Sequence, residues 1–388
     1  MIHTEEILFQ LIRREVCDGT VDENLKEQLT PEILSELYEI SRKQDLAHIV
    51  GQALQSIGAE LPEKLAQDFE KQQMLAFYRY QNLQFEFNQL SKALSDAKIP
   101  YLPLKGAVMR SYYPTPWMRT SCDIDVLVHE EDLDRAIDVL TSKLGYTNKG
   151  RGFHDVSLYS KSKVHVELHF TLADGKRILE SYNLRKNVWD YATPDSPNSY
   201  HYVMADDMFY FHHISHMANH LYGGGCGIRP FLDLWLLEHK VEGDHAARND
   251  LLEKTNLLTF TEAARELSEV WFSGKEYTKL VFQLQQYVLG GGMYGTTQNR
   301  VAVQQAERGG KVKYILSRIF LPRQVLKNLY PILETKKWLF PFLQVVRWFS
   351  MLRPYKMLRV YREMRAVKRI RKKSSEDTGK LFSDLGLQ

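Results

Sequence analysis

The sequence predicts an α+β protein in which a small β-sheet is preceded and followed along the chain by helical regions. Three observations predict this class. Segments with the helical period of 3.6 residues fill roughly residues 1–97. Between about residues 99 and 170, short apolar runs with a period of two predict strands. From about residue 206 onward the helical pattern returns.

The N-terminal region is predicted to consist of helices only. The segment EEILFQLIRREV is amphipathic, and a long helix is expected from EKLAQDF to KALSDA. Between them, TPEILSELYEISRKQDLAHIVGQAL is expected to form one helix. Thr30 is its predicted N-cap and Pro31 its first helical residue, because these residue types favour those positions.

The predicted sheet begins with the short apolar strand IPYLPL. Lys105 and Gly106 form the turn into a short helix, AVMRSYY, and a proline-bearing loop then leads to the strand DIDVLV. A helix is expected from about Glu130 to Leu144, closed by Gly145. The strands HDVSLYS and VHVELHF follow, separated by the turn-like KSK, and are expected to pair as a hairpin.

Three acidic residues lie on these predicted strands. Strand side chains alternate between faces, so Asp123 and Asp125 share one face of DIDVLV, and Glu167 lies on the polar face of VHVELHF. If the two strands are neighbours, the three carboxylates converge, and hard oxygen donors of this kind suit Mg²⁺. The alternative is an acidic sheet face that only meets water.

The order of these elements resembles the uncharacterised nucleotidyltransferase family of the DNA polymerase β superfamily. The resemblance rests on LPLKGAVMRSYYP, MRTSCDIDVLV, LGYTNKG and VHVELHF, and it extends to HHISHMANH and GIRPFLDLWLL. It covers roughly residues 99–237. It implies a polymerase β-like core with a small mixed sheet, Mg²⁺ or Mn²⁺ as cofactor, and transfer of a nucleotidyl group from a nucleoside triphosphate, such as ATP, to an acceptor hydroxyl.

The resemblance also implies roles for single residues. Asp123 and Asp125 would bind the metal ions, and Glu167 would complete one metal site and help to activate the acceptor hydroxyl. Lys105 and Gly106 stand where the superfamily usually has Gly-Ser at a helix start, so Lys105 would neutralise the triphosphate directly or would be a surface lysine beside the turn. Arg119 is a second candidate phosphate ligand, with a surface ion pair as its alternative.

Two helices after the sheet carry further candidates. On the helix DDMFYFHHISHMANHL the histidines form one stripe, and His216 and His220 are predicted to line the nucleotide cleft, with bonds to neighbouring helices as the alternative. On the next helix, Arg229 and Asp233 match the family's G-I-R-x-x-x-D pattern, which favours a cleft role. Their i,i+4 spacing is equally typical of a simple surface pair.

Composition and charge limit the remaining functions. The N-terminus lacks the pattern of a secretory signal, no apolar stretch is long enough to span a bilayer, and the three cysteines have no C-x-x-C spacing, so a cytoplasmic protein is expected. Residues 351–373 carry ten Lys or Arg against one Glu. This basic segment predicts contact with a polyanion, either RNA or an anionic membrane surface, or packing against the acidic surface of its own chain.

The predicted organisation has four parts: an N-terminal helical region (1–75), a nucleotidyltransferase core (76–192), a mostly helical domain (193–350) and a basic amphipathic tail (351–388). Two other functions stay open. A metal-dependent glycosyltransferase also uses a D-x-D motif, and a nucleotidyltransferase fold can serve as a non-catalytic scaffold. The acceptor substrate is not predicted by any feature of the sequence.

Overall fold

The computed structural model describes residues 2–173, 179–293, 295–351, 353–370 and 372–387. The chain forms two compact units. The first comprises Met1–Met217 and Ile228–Val281, and the second comprises Ala218–Gly227 and Phe282–Gln388. The predicted α+β class is confirmed. The four segments predicted from the sequence remain predictions of domain organisation.

The first unit begins with five helices. They are α1 (Ile2–Val16), α2 (Leu25–Gln28), α3 (Pro31–Lys43), α4 (Ala47–Ser56) and α5 (Glu63–Asp96). Thr30 caps α3 as predicted, since its hydroxyl accepts a hydrogen bond from the Ile33 amide at 3.4 Å. The prediction of a single helix over residues 30–54 is wrong. Two helices, α3 and α4, form instead, and they are separated at Asp45, whose φ is 56°. Asp tolerates this left-handed conformation better than most residues.

A five-stranded mixed sheet follows. Its strands are β1 (Tyr101–Pro103), β2 (Asp123–Val128), β3 (Thr147–Arg151), β4 (Asp155–Tyr159) and β5 (His165–His169), in the order β1-β2-β5-β4-β3. Strands β2 and β5 are parallel, and the other neighbours are antiparallel. The predicted hairpin of β4 and β5 is confirmed. Strand β3 is not predicted from the sequence, because its five residues are all exposed and mostly polar.

The helices α6 (Gly106–Met109) and α7 (Leu133–Ser142) connect the strands. One face of the sheet is covered by α5 and α7, and their apolar side chains form a continuous core with those of the strands. The sheet contributes Ile124, Val126, Val166 and Leu168 to this core. Because strand residues alternate between faces, the residues between them point away from the core.

The rest of the first unit is mainly helical. It contains α8 (Leu179–Lys186), the hairpin of β6 (Ala192–Pro194) and β7 (Tyr202–Met204), and the helices α9 (Asp206–Tyr222), α10 (Arg229–Lys240), α11 (His245–Lys254) and α12 (Leu258–Ser273). The C-terminal part of α9 and most of the next helix, α13 (Lys279–Gly291), belong to the second unit.

The second unit continues with α14 (Thr297–Glu307), α15 (Lys311–Ile319), α16 (Arg323–Leu329), α17 (Phe340–Ser350), α18 (Pro354–Arg369) and α19 (Lys372–Asp384). Val301, Tyr314, Val367 and Ile370 share a small core, so the basic segment predicted from the sequence is a packed part of this unit. None of the helices in the described parts of the chain combines the length and apolar character that a membrane span requires.

Candidate active site

Three carboxylates lie together on the face of the sheet opposite the core. Strands β2 and β5 are paired in register, with Asp123 opposite His165 and Asp125 opposite Glu167. The expectation that these two strands are neighbours is therefore confirmed. The alternation of strand residues sends the three acids to the same side, away from the buried Ile124 and Val166.

Two histidines join the acids. In the described residues, two overlapping sets of side chains bring their ligand atoms within 4.8 Å of one another: Asp123, His165 and Glu167 in one, and Asp125, Glu167 and His169 in the other. His165 and His169 were not predicted as site residues. The signal that would have found them is the alternation in VHVELHF, which places both on the face of Glu167.

The electrostatics of this cluster fit a divalent cation. Burial, together with the neighbouring Asp125 and Glu167, raises the pKa of Asp123 to about 6. Burial also opposes ionisation of Asp125, but Lys105 and His169 outweigh it and hold the pKa of that carboxyl well below its usual range. A cation beside Asp123 would offset the repulsion from Asp125 and Glu167 and so favour the ionised form of Asp123. Carboxylate oxygens with one imidazole nitrogen are suitable ligands for such an ion.

Lys105 reaches the cluster directly. Its Nζ lies 2.8 Å from Oδ1 of Asp125, and Nε2 of His169 lies 3.0 Å from the same oxygen. The pairing of β1 with β2 places the lysine there, since the Leu104 amide donates to the Asp125 carbonyl at 3.1 Å. The backbone of Lys105 has φ 45° and ψ −115°, a conformation that glycine adopts far more easily than lysine. The chain therefore holds this ammonium group at the acids at some conformational cost.

Gly106 lets the start of α6 approach the segment before β2. A Cβ on this buried residue would lie 3.3 Å from both Cβ and Oγ of Ser121. Ser121 in turn accepts a hydrogen bond from Arg110 and donates one to the Asp123 carbonyl at 3.1 Å. A side chain at Gly106 would thus push against the residue that supports Asp123. The predicted role of Gly106 in phosphate binding remains a prediction.

Arg119 is engaged by a buried carboxylate. Its Nε and Nη2 lie 2.8 Å from Oδ1 and Oδ2 of Asp233, respectively, and Tyr113 donates to the same carboxylate at 2.7 Å. Asp233 is only 1% exposed. Although burial opposes ionisation, Arg119 keeps the pKa of Asp233 below its usual value. This arrangement ties the loop before β2 to α10 and favours a positioning role for both residues.

Arg229 makes a second tie of the same kind. It donates to the Thr120 carbonyl at 2.9 Å and to Oδ2 of Asp45 at 2.5 Å, and the Thr120 hydroxyl donates to that Asp45 oxygen at 2.7 Å. The surface pair considered for Arg229 and Asp233 is wrong, because both side chains are buried. The break between α3 and α4 places the Asp45 carboxylate beside Thr120, in the loop before β2.

The histidines of α9 differ in their surroundings. His213 contacts the Pro230 carbonyl through Nε2 at 2.9 Å. His212 is buried with no hydrogen-bond partner at either ring nitrogen, and burial, followed by the charge of Lys105, lowers its pKa to about 3. The ring of His216 lies 6.2 Å from that of His212, and His220 belongs to the second unit. Cleft roles for His216 and His220 remain predictions.

Comparison with known proteins identifies a family for most of the chain. The model of a protein family described as "Uncharacterised nucleotidyltransferase" matches residues 31–273. This segment runs from the start of α3 to the end of α12 and contains every residue of the acidic cluster. Neither curated proteins nor solved structures give a significant match.

Proposed function

Because the chain belongs to the uncharacterised nucleotidyltransferase family, we propose that it transfers a nucleoside monophosphate from a nucleoside triphosphate to an acceptor hydroxyl and releases pyrophosphate. One observation carries the proposal: Asp123, Asp125 and Glu167 project from adjacent parallel strands with their ligand atoms within 4.8 Å. An acidic sheet face that only met water would not require such convergence or the burial of Asp125, which is 5% exposed.

Asp123, Asp125 and Glu167 would hold Mg²⁺ or Mn²⁺. When bound, a divalent cation neutralises phosphate charge and lowers the pKa of a coordinated hydroxyl. The acceptor oxygen forms the new bond to the α-phosphorus, and the bond from that phosphorus to the bridging oxygen breaks. Pyrophosphate leaves with the electron pair. Glu167 is the proposed acceptor of the hydroxyl proton, since its side chain is 26% exposed and that of Asp125 only 5%.

Lys105 would bind the triphosphate. Its side chain is 25% exposed and touches the acidic cluster at Asp125, so the ammonium group can exchange that carboxylate for a phosphate oxygen without a large movement. Such an exchange would offset the negative charge that the triphosphate brings next to three acids. Arg119, Arg229 and Asp233 would act by holding the loop before β2, and thus the start of the strand that carries Asp123 and Asp125.

The glycosyltransferase alternative is not supported by these findings. The family match is to nucleotidyltransferases, and the acids lie on a mixed five-stranded sheet that starts after five helices. The scaffold alternative would leave the cluster of carboxylates, histidines and Lys105 without a role.

The test is a transfer assay with each common ribonucleoside triphosphate, labelled at the α-phosphate, with Mg²⁺ or Mn²⁺ and cell extract as the source of acceptors. We expect label from one or more triphosphates to appear in an acceptor, with release of pyrophosphate. An Asp123→Asn variant is the negative control. Absence of transfer with every triphosphate and both metals would contradict the proposal and favour the scaffold alternative.

A further inference from the structure

The second unit exposes an unusual amount of apolar surface. Most of the large apolar side chains that are exposed in the described residues lie between Val312 and Met364. Trp338, Phe342 and Phe349 are 69%, 68% and 69% exposed. We call the exposed apolar side chains of this segment the outer face. Apolar patches of this kind mark a surface that meets a partner or a membrane.

Helix α17 shows that the outer face is built into the fold. Phe342, Val345, Val346 and Phe349 are exposed at i, i+3, i+4 and i+7, so they form one stripe. The polar residues of the same helix point inward: Gln344 donates to the Leu321 carbonyl at 2.6 Å. Arg347, only 5% exposed, donates to the carbonyls of Ile319 and Arg318 at 3.0 and 2.6 Å. The apolar side of α17 is therefore exposed and its polar side is buried, the reverse of an ordinary surface helix.

Helices α15 and α18 repeat the pattern. Val312, Leu316 and Ile319 are exposed at i, i+4 and i+7 of α15, and Met357, Tyr361 and Met364 at the same spacing of α18. Between the helices, the buried Glu363 accepts hydrogen bonds from Tyr314 and from Arg318, the latter at 2.7 Å. Tyr314, Arg318 and Glu363 thus join the two helices, while apolar side chains of both helices are left exposed beside basic ones.

The segment that carries the outer face is strongly basic. Residues 311–369 contain fifteen Lys or Arg and two acids, Glu334 and Glu363, a net charge of +13. Lys336 and Lys337 are exposed directly beside Trp338, and Arg362 and Arg365 are exposed on α18. A second copy of the same face would therefore be repelled. RNA would satisfy the charge, but it offers no apolar environment to Val312, Leu316, Val345 and Val346.

We propose that the outer face binds an anionic lipid bilayer, with α15, α17 and α18 lying in the interface. Amphipathic helices with aromatic and aliphatic residues on one side and Lys or Arg around them bind in this way. Their apolar side chains enter the boundary between headgroups and acyl chains, and the basic residues attract the anionic headgroups. The proposal is independent of the transfer reaction, since α14 to α19 lie outside the segment matched by the family.

The test is flotation of the full-length protein with vesicles of phosphatidylcholine alone and of phosphatidylcholine mixed with phosphatidylglycerol. We expect flotation only with the mixed vesicles, weakened by added salt. Phe342→Ser combined with Phe349→Ser should lower the partition coefficient at least about tenfold, because two apolar rings no longer enter the interface. Both residues are exposed, so the variant should keep its melting temperature.

The matched control is Phe77→Ser combined with Phe85→Ser, which removes two exposed phenylalanines from α5 and should leave flotation unchanged. Lys336→Glu combined with Lys337→Glu should weaken flotation with the mixed vesicles. Equal flotation with both kinds of vesicle would overturn the anionic part of the proposal. Absence of flotation, whether the protein binds RNA, self-associates or does neither, would overturn it entirely.

Discussion

Asp125 is the residue on which the electrostatics of the candidate site depend. It is 5% exposed, yet Lys105 and His169 both contact its Oδ1, and these contacts keep its pKa low in spite of burial. For Asp123 on the same strand, burial and the neighbouring Asp125 and Glu167 outweigh Lys105 and His165, and the pKa is raised to about 6. The two acids of the D-x-D motif therefore differ before any metal binds: Asp125 is already ionised, and Asp123 gains most from a cation.

Replacing Asp125 by Asn tests its role as a metal ligand. We expect nucleotidyl transfer to fall by more than about a hundredfold, because an amide has the shape of a carboxylate but binds a hard cation poorly. The fold should persist, since the partly exposed Lys105 can turn toward solvent. Asp134→Asn, at an exposed position of α7, is the control. Near-normal turnover of a folded Asp125→Asn protein would exclude this residue as a metal ligand.

Replacing Lys105 by Ala separates a phosphate ligand from a surface lysine. We expect the affinity for a nucleoside triphosphate to fall more than the affinity for the corresponding monophosphate, because the ammonium group is proposed to neutralise the additional phosphates. Calorimetric titration of both nucleotides measures the two affinities. Lys71→Ala, at an exposed position of α5, should change neither. An equal loss for both nucleotides would assign Lys105 a general electrostatic role instead.

At the scale of elements, the loop before β2 is held more firmly than its proline-bearing sequence predicts. Asp233 on α10 fixes Arg119, and Arg229 on the same helix joins the Thr120 carbonyl to Asp45. His48 on α4 adds a contact to the Met118 carbonyl at 2.8 Å. Two distant parts of the sequence, residues 45–48 and helix α10, thus converge on the residues that precede the acidic strand. The family's G-I-R-x-x-x-D pattern has a structural explanation in these contacts.

The bond between Arg119 and Asp233 should be important for stability. Asp233→Asn is expected to lower the free energy of unfolding by about 3 kcal/mol, because it leaves a buried guanidinium without its counter-charge. Denaturant unfolding provides the measurement. Combining Asp233→Leu with Arg119→Met removes both charges and should recover part of the loss. If the double variant is no more stable than Asp233→Asn, the unpaired charge is not the cause.

At the scale of the whole molecule, the sequence predicts the elements better than it predicts their partners. The helical and strand periods place α1, α5, β2 and β5, and the alternation in two strands predicts the convergence of the acids. Strand β3 escapes prediction because its polar residues show no apolar alternation. Arg229 bonds to Asp45 and Arg119 to Asp233, and the residues of each pair lie more than a hundred positions apart. A local pattern carries no information about such contacts.

The tail formed by residues 351–388 should be required for the stability of the second unit. Leu381, Phe382 and Leu385 are buried, and Val367 packs with Val301 and Tyr314. Removing residues 351–388 would expose Val301 and Tyr314, so we expect the truncated protein to lose part of its heat of unfolding in a calorimetric scan. A chain that merely carried a loose basic tail would show an unchanged scan after the same truncation.

The backbone of Lys105 reverses an ordinary rule of protein stability. Alanine normally stabilises a chain relative to glycine, since glycine loses more freedom on folding. At φ 45° and ψ −115° the order should invert, and Lys105→Gly should be more stable than Lys105→Ala by roughly 1–3 kcal/mol. Neither variant carries the ammonium group, so the difference measures the backbone alone. Selection for stability alone would place glycine at this position. A lysine at this position therefore indicates selection for the chemistry of the site, at a cost in stability of the folded chain.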